Sequence, residues 1–252
     1  MNELLNKKAV LLAADKLQIG VARLEFLDKR ALRYFLDKSW VHLGDAPHCE
    51  DRWRRWTGKL RTYGLLQCAK DAVGMLLKRW QCPSVQNNGI EDLYTKTNFI
   101  SFYYRKGDRL LLEDETFNFV FSEHVFEHFF LDDVIDLLKE THRVMRPNGV
   151  IRVVVPDADL RPHPEPLPPK NLSLTHPLRH KIRWNVYALA TILECAGFEA
   201  VPLRYYDKEG KFWDVDWPRI QEKYKHSQAG EILFHLSYVQ RPDSLIVDGF
   251  KK

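Results

Sequence analysis

Two short polar groups follow apolar runs in this sequence, and their side chains can bind ligands and move protons. The first is Ser-Glu-His at 122–124, directly after the apolar run 117–121, and the second is Asp-Ala-Asp at 157–159, after the apolar run 150–155. Histidine and carboxylate side chains are the usual general acids and bases near neutral pH. The spacing therefore predicts one polar site assembled from the ends of two elements.

A metal-binding pattern overlaps the first polar group. Residues 124–128 read His-Val-Phe-Glu-His, and in the H-x-x-E-H pattern two histidines one helical turn apart bind zinc beside a carboxylate base. That chemistry requires all five residues inside one helix and a further ligand downstream. The strongest helix start comes only at Asp132. A zinc hydrolase and a purely structural role of His128, at a helix cap or core edge, both stay open as alternatives.

The elements that carry these groups read as strand, helix and strand. Residues 117–122 are aromatic and β-branched at alternating positions, which favours a buried strand. A helix is predicted from Asp132, where two aspartates suit the N-terminus, to a stop at the Pro-Asn-Gly of 147–149. The near-continuous apolar run 150–155 is typical of a parallel strand covered on both faces. This unit predicts an α/β fold with its ligand crevice beyond the carboxyl ends of the strands.

Residues 105–159 resemble the second half of the class I S-adenosylmethionine-dependent methyltransferases, in particular the type 11-like members. The resemblance rests on FNFVFSEHVFEH at 117–128 and RVMRPNGVIRVVVPD at 143–157, which contains a turn of the R-V-L-K-P-G-G type. Asn118 stands where the family usually has Asp, and Asn148 replaces the first glycine of the turn. The resemblance implies a Rossmann-like doubly wound sheet, mostly parallel with an antiparallel C-terminal hairpin strand, preceded by N-terminal helices.

The same resemblance implies S-adenosyl-L-methionine as the cofactor, bound along the strand ends. Residues 40–43 are interpreted as the first strand, which in the family ends in a glycine-rich loop, and only Gly44 remains of that loop. The second strand of such folds ends in an acid that binds the cofactor ribose, and the nearest acids are Glu91 and Asp92. The predicted cofactor contacts are His42, Gly44, Asp45, Asp108 towards the adenine, Ser122, Glu123 and His124.

The acceptor of the methyl group is expected in the other half of the crevice. A Pro-rich and basic loop at 161–184 follows the strand that ends at Asp157, so it is expected to hang over the crevice. Its cations favour an anionic acceptor. Alternatively they pair with nearby acids and only fix the loop. No metal is expected in this site. The predicted catalytic residues are His124, Asp157, His176 and His180, and the predicted substrate contacts are Asp159, Arg183 and Trp184.

The remaining segments are assigned by periodicity, within a single domain that spans residues 1–252. A helical segment is predicted over 1–37 and a basic amphipathic helix over 51–80. The basic helix fits a solvated surface, an anionic substrate or a lid, and nucleic acid is the least favoured of its partners. Further elements are strands at 98–104, 200–206, 232–239 and 244–247, a helix that starts after Asn185, and a surface insertion at 207–228.

Composition limits the class of protein and its compartment. The chain has 252 residues, of which 45% are hydrophobic and 29% charged, with a net charge of +4. This mild charge permits an anionic substrate without requiring nucleic acid. The four cysteines show no C-x-x-C spacing, and the apolar stretch near the N-terminus is too short for a signal peptide or membrane span. A cytoplasmic location with reduced thiols is therefore predicted.

Three functions are consistent with these patterns. The favoured one is a methyltransferase that acts on an O or N acceptor of a small molecule or glycan. A non-catalytic binding domain of the same fold is the alternative, because the glycine-rich loop is degenerate, and the zinc hydrolase is a further one. Methyl transfer from a sulfonium gains most of its acceleration from holding two reactants in attack geometry. A crevice with few catalytic groups is sufficient for it.

Overall fold

The computed structural model describes residues 14–20, 37–44, 97–101, 104–160, 180–215, 217–227, 229 and 243–252. Within these ranges the strands are β1 (Lys16–Ile19), β2 (Trp40–Gly44), β3 (Phe99–Ser101), β4 (Phe117–Glu123), β5 (Met145–Pro156), β6 (Phe198–Tyr206), β7 (Phe212–Asp214) and β8 (Ser244–Lys251). The helices are α1 (Leu131–Val144), α2 (Val186–Cys195) and α3 (Trp217–Tyr224), with a short 3₁₀ turn at Phe126–His128.

All eight strands belong to one sheet with the order β3-β2-β1-β4-β5-β8-β6-β7. Strands β1 to β5 pair in parallel. Strand β8 lies antiparallel between β5 and β6, and β7 adds an antiparallel edge to β6. The predicted α/β fold, mostly parallel with an antiparallel C-terminal strand, is confirmed.

The unit of β4, α1 and β5 forms as the sequence patterns predict. Helix α1 buries Val134, Leu137 and Leu138 on one face against the core, because these apolar residues recur at helical spacing. The helix ends at Val144 and β5 begins at Met145, so the predicted helix stop at 147–149 and the predicted strand start at 150 both lie too late in the sequence. Asn148 adopts a left-handed backbone with φ of 64° inside β5, where the register with β4 shifts between Phe117 and Phe119. Asparagine tolerates that conformation, so it can replace the usual glycine.

The N-terminal part of the sheet differs from the prediction. Lys16–Ile19, expected inside a helical segment, forms strand β1 between β2 and β4. Trp40–Gly44, expected as the first strand, is therefore the second one. Leu17 fits an apolar stripe at helical spacing, whereas Leu17 and Ile19 together fit the alternation of a strand, and four residues are too few to separate the two periods. Pairing with two neighbouring strands, which buries both side chains, decides in favour of the strand.

The C-terminal elements follow the predicted boundaries closely. The side chain of Asn185 accepts a hydrogen bond from the backbone N–H of Ala188 at 2.9 Å and begins α2 as its N-cap. Gly197, with φ of 96°, ends the helix in a left-handed conformation. The predicted insertion at 207–228 contains β7 and α3.

Several predictions fall on residues outside the described ranges. They are the basic helix at 51–80, the ribose acids Glu91 and Asp92, the loop at 161–179 with His176, the strand at 232–239, and Asp45. No helix within the described residues is long and apolar enough to cross a membrane.

Candidate functional site

The carboxyl ends of β1, β4 and β5 lie side by side and form the edge where a ligand crevice is expected. Ile19 of β1 pairs with Ser122 of β4, and Glu123 of β4 pairs with Val154 of β5. The chain leaves β1 through Gly20, whose N–H donates to the carbonyl of Leu43 at 2.8 Å. Residues distant in sequence are thus brought to one edge by the parallel register.

Gly20 has a backbone that only glycine adopts easily. Its φ is 78°, and a Cβ atom built on it would lie 2.1 Å from Cγ2 of Val125. The glycine that ends the first strand is therefore Gly20, and the assignment of that position to Gly44 is wrong. Gly44 ends the second strand, where it pairs with Ser101. Sequence reasoning missed Gly20, although the alternation of Leu17 and Ile19 before a glycine was a usable signal.

Ser122 presents an unused polar atom at this edge. The residue is 1% exposed, and no described group hydrogen-bonds its Oγ. A buried hydroxyl without a partner is destabilising, so a ligand that supplies one gains the difference. Two other predicted cofactor contacts are Glu123 and His42. Glu123 is half-buried at the last position of β4. His42 is buried inside the sheet with Nδ1 2.8 Å from Oε1 of Gln18.

His124 is held from three sides at the end of β4. Its backbone N–H donates to the carbonyl of Val154 at 2.8 Å. The ring Nδ1 lies 3.3 Å from Oε1 of Glu127, and Nε2 lies 3.1 Å from Oγ of Ser244. Its φ of 53° is uncommon for a residue with a side chain. Such strained residues concentrate at functional sites.

The H-x-x-E-H run does not form a helix. Only Phe126–His128 makes a 3₁₀ turn, and the helix begins later, at Leu131. The two histidines are thus not one helical turn apart, which removes the geometry of the predicted zinc-hydrolase pattern. Instead, the turn contacts the segment that leads into α2. The N–H of Lys181 donates to the carbonyl of Glu127 at 2.7 Å, and its ammonium group donates to the carbonyl of His128.

Asp157 holds backbone in place at the end of β5. It is 2% exposed, and its carboxylate accepts hydrogen bonds from the N–H of Tyr206 at 2.7 Å and of Asp159 at 2.9 Å. The backbone of Trp184 pairs with that of Asp157 in an isolated parallel β-bridge, and the Trp184 residue is 1% exposed within the core. These contacts are structural, and the catalytic role of Asp157 and the substrate contact of Trp184 stay predictions. Arg183, by contrast, is exposed next to them.

The loop that carries Asp108 is tied to α1. Asp108 itself accepts a hydrogen bond from the N–H of Arg105 at 2.9 Å and closes a turn. Asp136 accepts from the hydroxyl of Tyr104 at 2.8 Å and the N–H of Gly107 at 2.6 Å. The Gly107 amide, followed by the Tyr104 hydroxyl, lowers the pKa of Asp136. Burial is the main cause that raises the pKa of Tyr104. The helix thus fixes the position of the predicted adenine contact.

A comparison with protein families finds one relevant match. The family described as "Methyltransferase domain" matches residues 75–153, which include β3, β4, α1 and most of β5. A search of curated proteins finds no significant match.

Solved methyltransferase structures resemble the chain weakly. The possible histamine N-methyltransferase of Thermotoga maritima is 15% identical, with 98% of this chain and 89% of that chain covered and a TM-score of 0.47. The putative methyltransferase in complex with the Trm112 activator of Haloferax volcanii is 16% identical, with 96% and 87% covered and a TM-score of 0.46. The 1,6-didemethyltoxoflavin-N1-methyltransferase of Burkholderia thailandensis is 15% identical, with 98% and 77% covered and a TM-score of 0.44.

The family match agrees with the predicted class. The methyltransferase-domain family matches residues 75–153, which is less than half of the chain. The match is consistent with the resemblance to S-adenosylmethionine-dependent enzymes and with that cofactor. Two residues of the described structure also suit a ligand site. Gly20 and the hydroxyl of Ser122, to which no described group makes a hydrogen bond, stand at the strand ends where the crevice of an open α/β sheet binds its ligand.

Proposed function

Starting from the methyltransferase domain at 75–153, we propose that this chain transfers a methyl group from S-adenosyl-L-methionine to an O or N acceptor on a small molecule or glycan. The observation that carries the proposal is the pairing of Ile19 with Ser122, which places Gly20 beside a buried hydroxyl that has no described partner. Bound cofactor would supply the methyl group of its sulfonium. The acceleration is expected mainly from holding donor and acceptor in line.

The corrected strand order changes the residue that we propose to bind the cofactor ribose. In the resembled family the second strand ends in an acid that hydrogen-bonds the cofactor ribose. Because β2 is Trp40–Gly44, the residue that follows the second strand in the sequence is Asp45. We therefore assign this role to Asp45, in place of Glu91 or Asp92. Asp108 keeps its predicted place towards the adenine, on a loop that α1 holds in position.

The acceptor is proposed to approach from the side of residues 180–184. Arg183 is exposed there, and a charge-assisted hydrogen bond from its guanidinium to an anion would contribute about 1.5–3 kcal/mol. An acidic or phosphorylated acceptor is the preferred substrate class. Of the predicted proton acceptors, His124, His176 and His180 remain, since the carboxylate of Asp157 binds backbone amides.

Calorimetric titration with S-adenosylhomocysteine tests the proposal. Wild-type protein is expected to bind one equivalent. Ser122→Ala should weaken binding about fivefold, the effect of one neutral hydrogen bond of about 1 kcal/mol. Asp45→Asn should weaken it about tenfold or more, because a charged acceptor is lost.

Thr191→Ala is the matched control for Ser122→Ala, since Thr191 is exposed and its hydroxyl donates only to the carbonyl of Tyr187 within α2. Its affinity should equal that of the wild type. A wild-type protein that binds neither S-adenosylmethionine nor S-adenosylhomocysteine would refute the proposal and leave the non-catalytic domain as the function.

A further inference from the structure

Three side chains around the 3₁₀ turn come together in a way that the H-x-x-E-H pattern does not predict. Glu127 and His128 lie on the turn, and His180 reaches them from the segment before α2. The carboxylate and imidazole ligand atoms of the three residues all lie within 4.8 Å of one another. The rings of the two histidines meet edge to face, with their centroids 4.7 Å apart.

The carboxylate of Glu127 points to a missing ligand. The residue is 1% exposed, and neither carboxylate oxygen accepts a hydrogen bond from any described group. The nearest polar atoms are Nδ1 of His124 at 3.3 Å and Nε2 of His128 at 3.9 Å, both measured to Oε1. A buried carboxylate without hydrogen bonds costs several kcal/mol unless it is paired or binds a metal.

Hydrogen bonds to the backbone already hold the three residues near one another. The N–H groups of Lys181 and Ile182 both point at the carbonyl of Glu127, at 2.7 and 3.4 Å, and the Lys181 ammonium group binds the carbonyl of His128. These contacts fix the residue just before them, His180, against the turn. The ligands therefore need little rearrangement, which reduces the entropic cost of binding.

We propose that Glu127, His128 and His180 bind one divalent first-row transition metal ion. Two imidazoles and one carboxylate form a ligand set that suits zinc and related ions rather than magnesium or calcium. Bonds of about 2.0–2.2 Å to one ion place the ligand atoms roughly 3–4 Å apart. Nε2 of His128 and Oε1 of Glu127 already lie 3.9 Å apart, and no pair of ligand atoms is farther apart than 4.8 Å. The site goes beyond the proposed methyl transfer and does not depend on it. With His180 bound to the ion, His124 and His176 stay available as the proposed proton acceptors.

The ion would also complete the surroundings of His124. Oε1 of Glu127 faces the ring of His124. A metal bound to the Glu127 carboxylate would therefore hold Glu127 in place against His124. Carboxylates that bind a metal are usually held in turn by hydrogen bonds from neighbouring groups, and His124 is placed to make that contact. Alternatively, the cluster only packs residues 180–182 against the 3₁₀ turn. The two alternatives differ in whether the protein binds a metal ion.

Metal uptake by the tag-free, chelator-stripped chain tests the proposal. After incubation with zinc sulfate and desalting, wild-type protein is expected to retain one zinc per chain by elemental analysis. Glu127→Gln and His180→Ala should each weaken zinc binding by at least the ~10–100-fold that loss of a second-shell partner costs. The matched controls are Glu194→Gln and His226→Ala, two exposed positions outside the cluster, which should bind as the wild type does.

Cobalt(II) provides a readout that needs no variant. The wild-type chain loaded with cobalt chloride should show the visible absorption of a four- or five-coordinate nitrogen and oxygen site, and its Tm should rise with cobalt concentration because the ion binds only the folded state. Wild-type protein that retains no zinc, or a spectrum identical to that of hydrated cobalt, would overturn the proposal. So would equal zinc binding by folded His180→Ala and His226→Ala. Titration of the wild type, His180→Ala and His226→Ala with S-adenosylhomocysteine tests the methyltransferase proposal separately, because it measures cofactor binding and not zinc binding.

Discussion

Arg152 and Asp248 form a fully buried, bidentate ion pair across β5 and β8. Nε of the arginine donates to Oδ1 and Nη2 donates to Oδ2, both at 2.8 Å, and both side chains are 0% exposed. The two residues are direct partners in the strand register. The hydroxyl of Tyr224 donates to the same carboxylate at 2.7 Å, and burial, together with that carboxylate, raises the pKa of Tyr224. This pair explains the one charged residue in the apolar run 150–155.

Breaking this pair on one side is expected to destabilise the protein strongly. Asp248→Leu removes the carboxylate that neutralises the buried Arg152 guanidinium, which should lower the free energy of unfolding by about 3–5 kcal/mol. The double variant Arg152→Met, Asp248→Leu should recover most of that loss, because no buried charge remains. Urea denaturation measures both. Lys106→Met is the control, since the pair of Lys106 with Asp132 is exposed. A double variant no more stable than the single one would contradict this account.

Gly20→Ala is expected to destabilise the end of β1 for two separable reasons. The left-handed backbone costs a residue with a Cβ about 1–2 kcal/mol, and the new methyl group would collide with Val125. Val125→Ala in the Gly20→Ala background should recover the second part and leave the first. Thermal unfolding of the wild type, both single variants and the double variant forms a double-mutant cycle. Strictly additive effects would show that the two residues do not touch.

Asp136→Asn is expected to loosen the loop that carries Asp108. A loss of about 1 kcal/mol from weakened hydrogen bonds to Gly107 and Tyr104 lowers Tm by about 2–4 °C in a chain of this size. The fold lowers the pKa of Asp136. Its carboxylate therefore stabilises the protein above the ordinary aspartate range, and this contribution is lost as the pH falls through the lowered pKa.

The difference in Tm between wild type and Asp136→Asn should accordingly shrink below about pH 4, near the ordinary aspartate pKa. The same variant should weaken S-adenosylhomocysteine binding. Asp132→Asn, on the same helix but in an exposed pair, should change neither quantity. An unchanged cofactor affinity in Asp136→Asn would separate this loop from the cofactor site.

His142 is expected to make the protein less stable at mildly acidic pH. Burial, followed by the charge of Lys251, lowers the pKa of His142 below its ordinary value of 6.5, although the hydrogen bond with the backbone of Gly197 raises it. The unfolded chain then binds a proton that the folded chain does not. Stability should therefore fall as the pH drops below about 6.5, until the lowered pKa is reached. His142→Gln should flatten the pH profile of Tm in this range, and an unchanged profile would exclude His142 as its cause.

The fold class was predictable because its evidence is local. The strand at 117–123, the helix at 131–144 and the strand after it show their periods over many residues, and burial on one or both faces follows directly from those periods. Helix α2 was predictable for the same reason, since the cap Asn185 and the stop Gly197 stand at its ends. Where several signals agree over such a length, a single sequence determines the element.

What only the tertiary structure decided concerns short segments and partners distant in sequence. Lys16–Ile19 has four residues, and the choice of strand comes from hydrogen bonds to β2 and β4. This choice moved the first-strand glycine from Gly44 to Gly20. In the same way, the side chains of Glu127 and His128 were visible as a motif, but His180 joins them only because backbone hydrogen bonds bring two distant segments together. Residue types and local periods are written in one stretch of chain, whereas contacts between stretches depend on the register of the whole sheet.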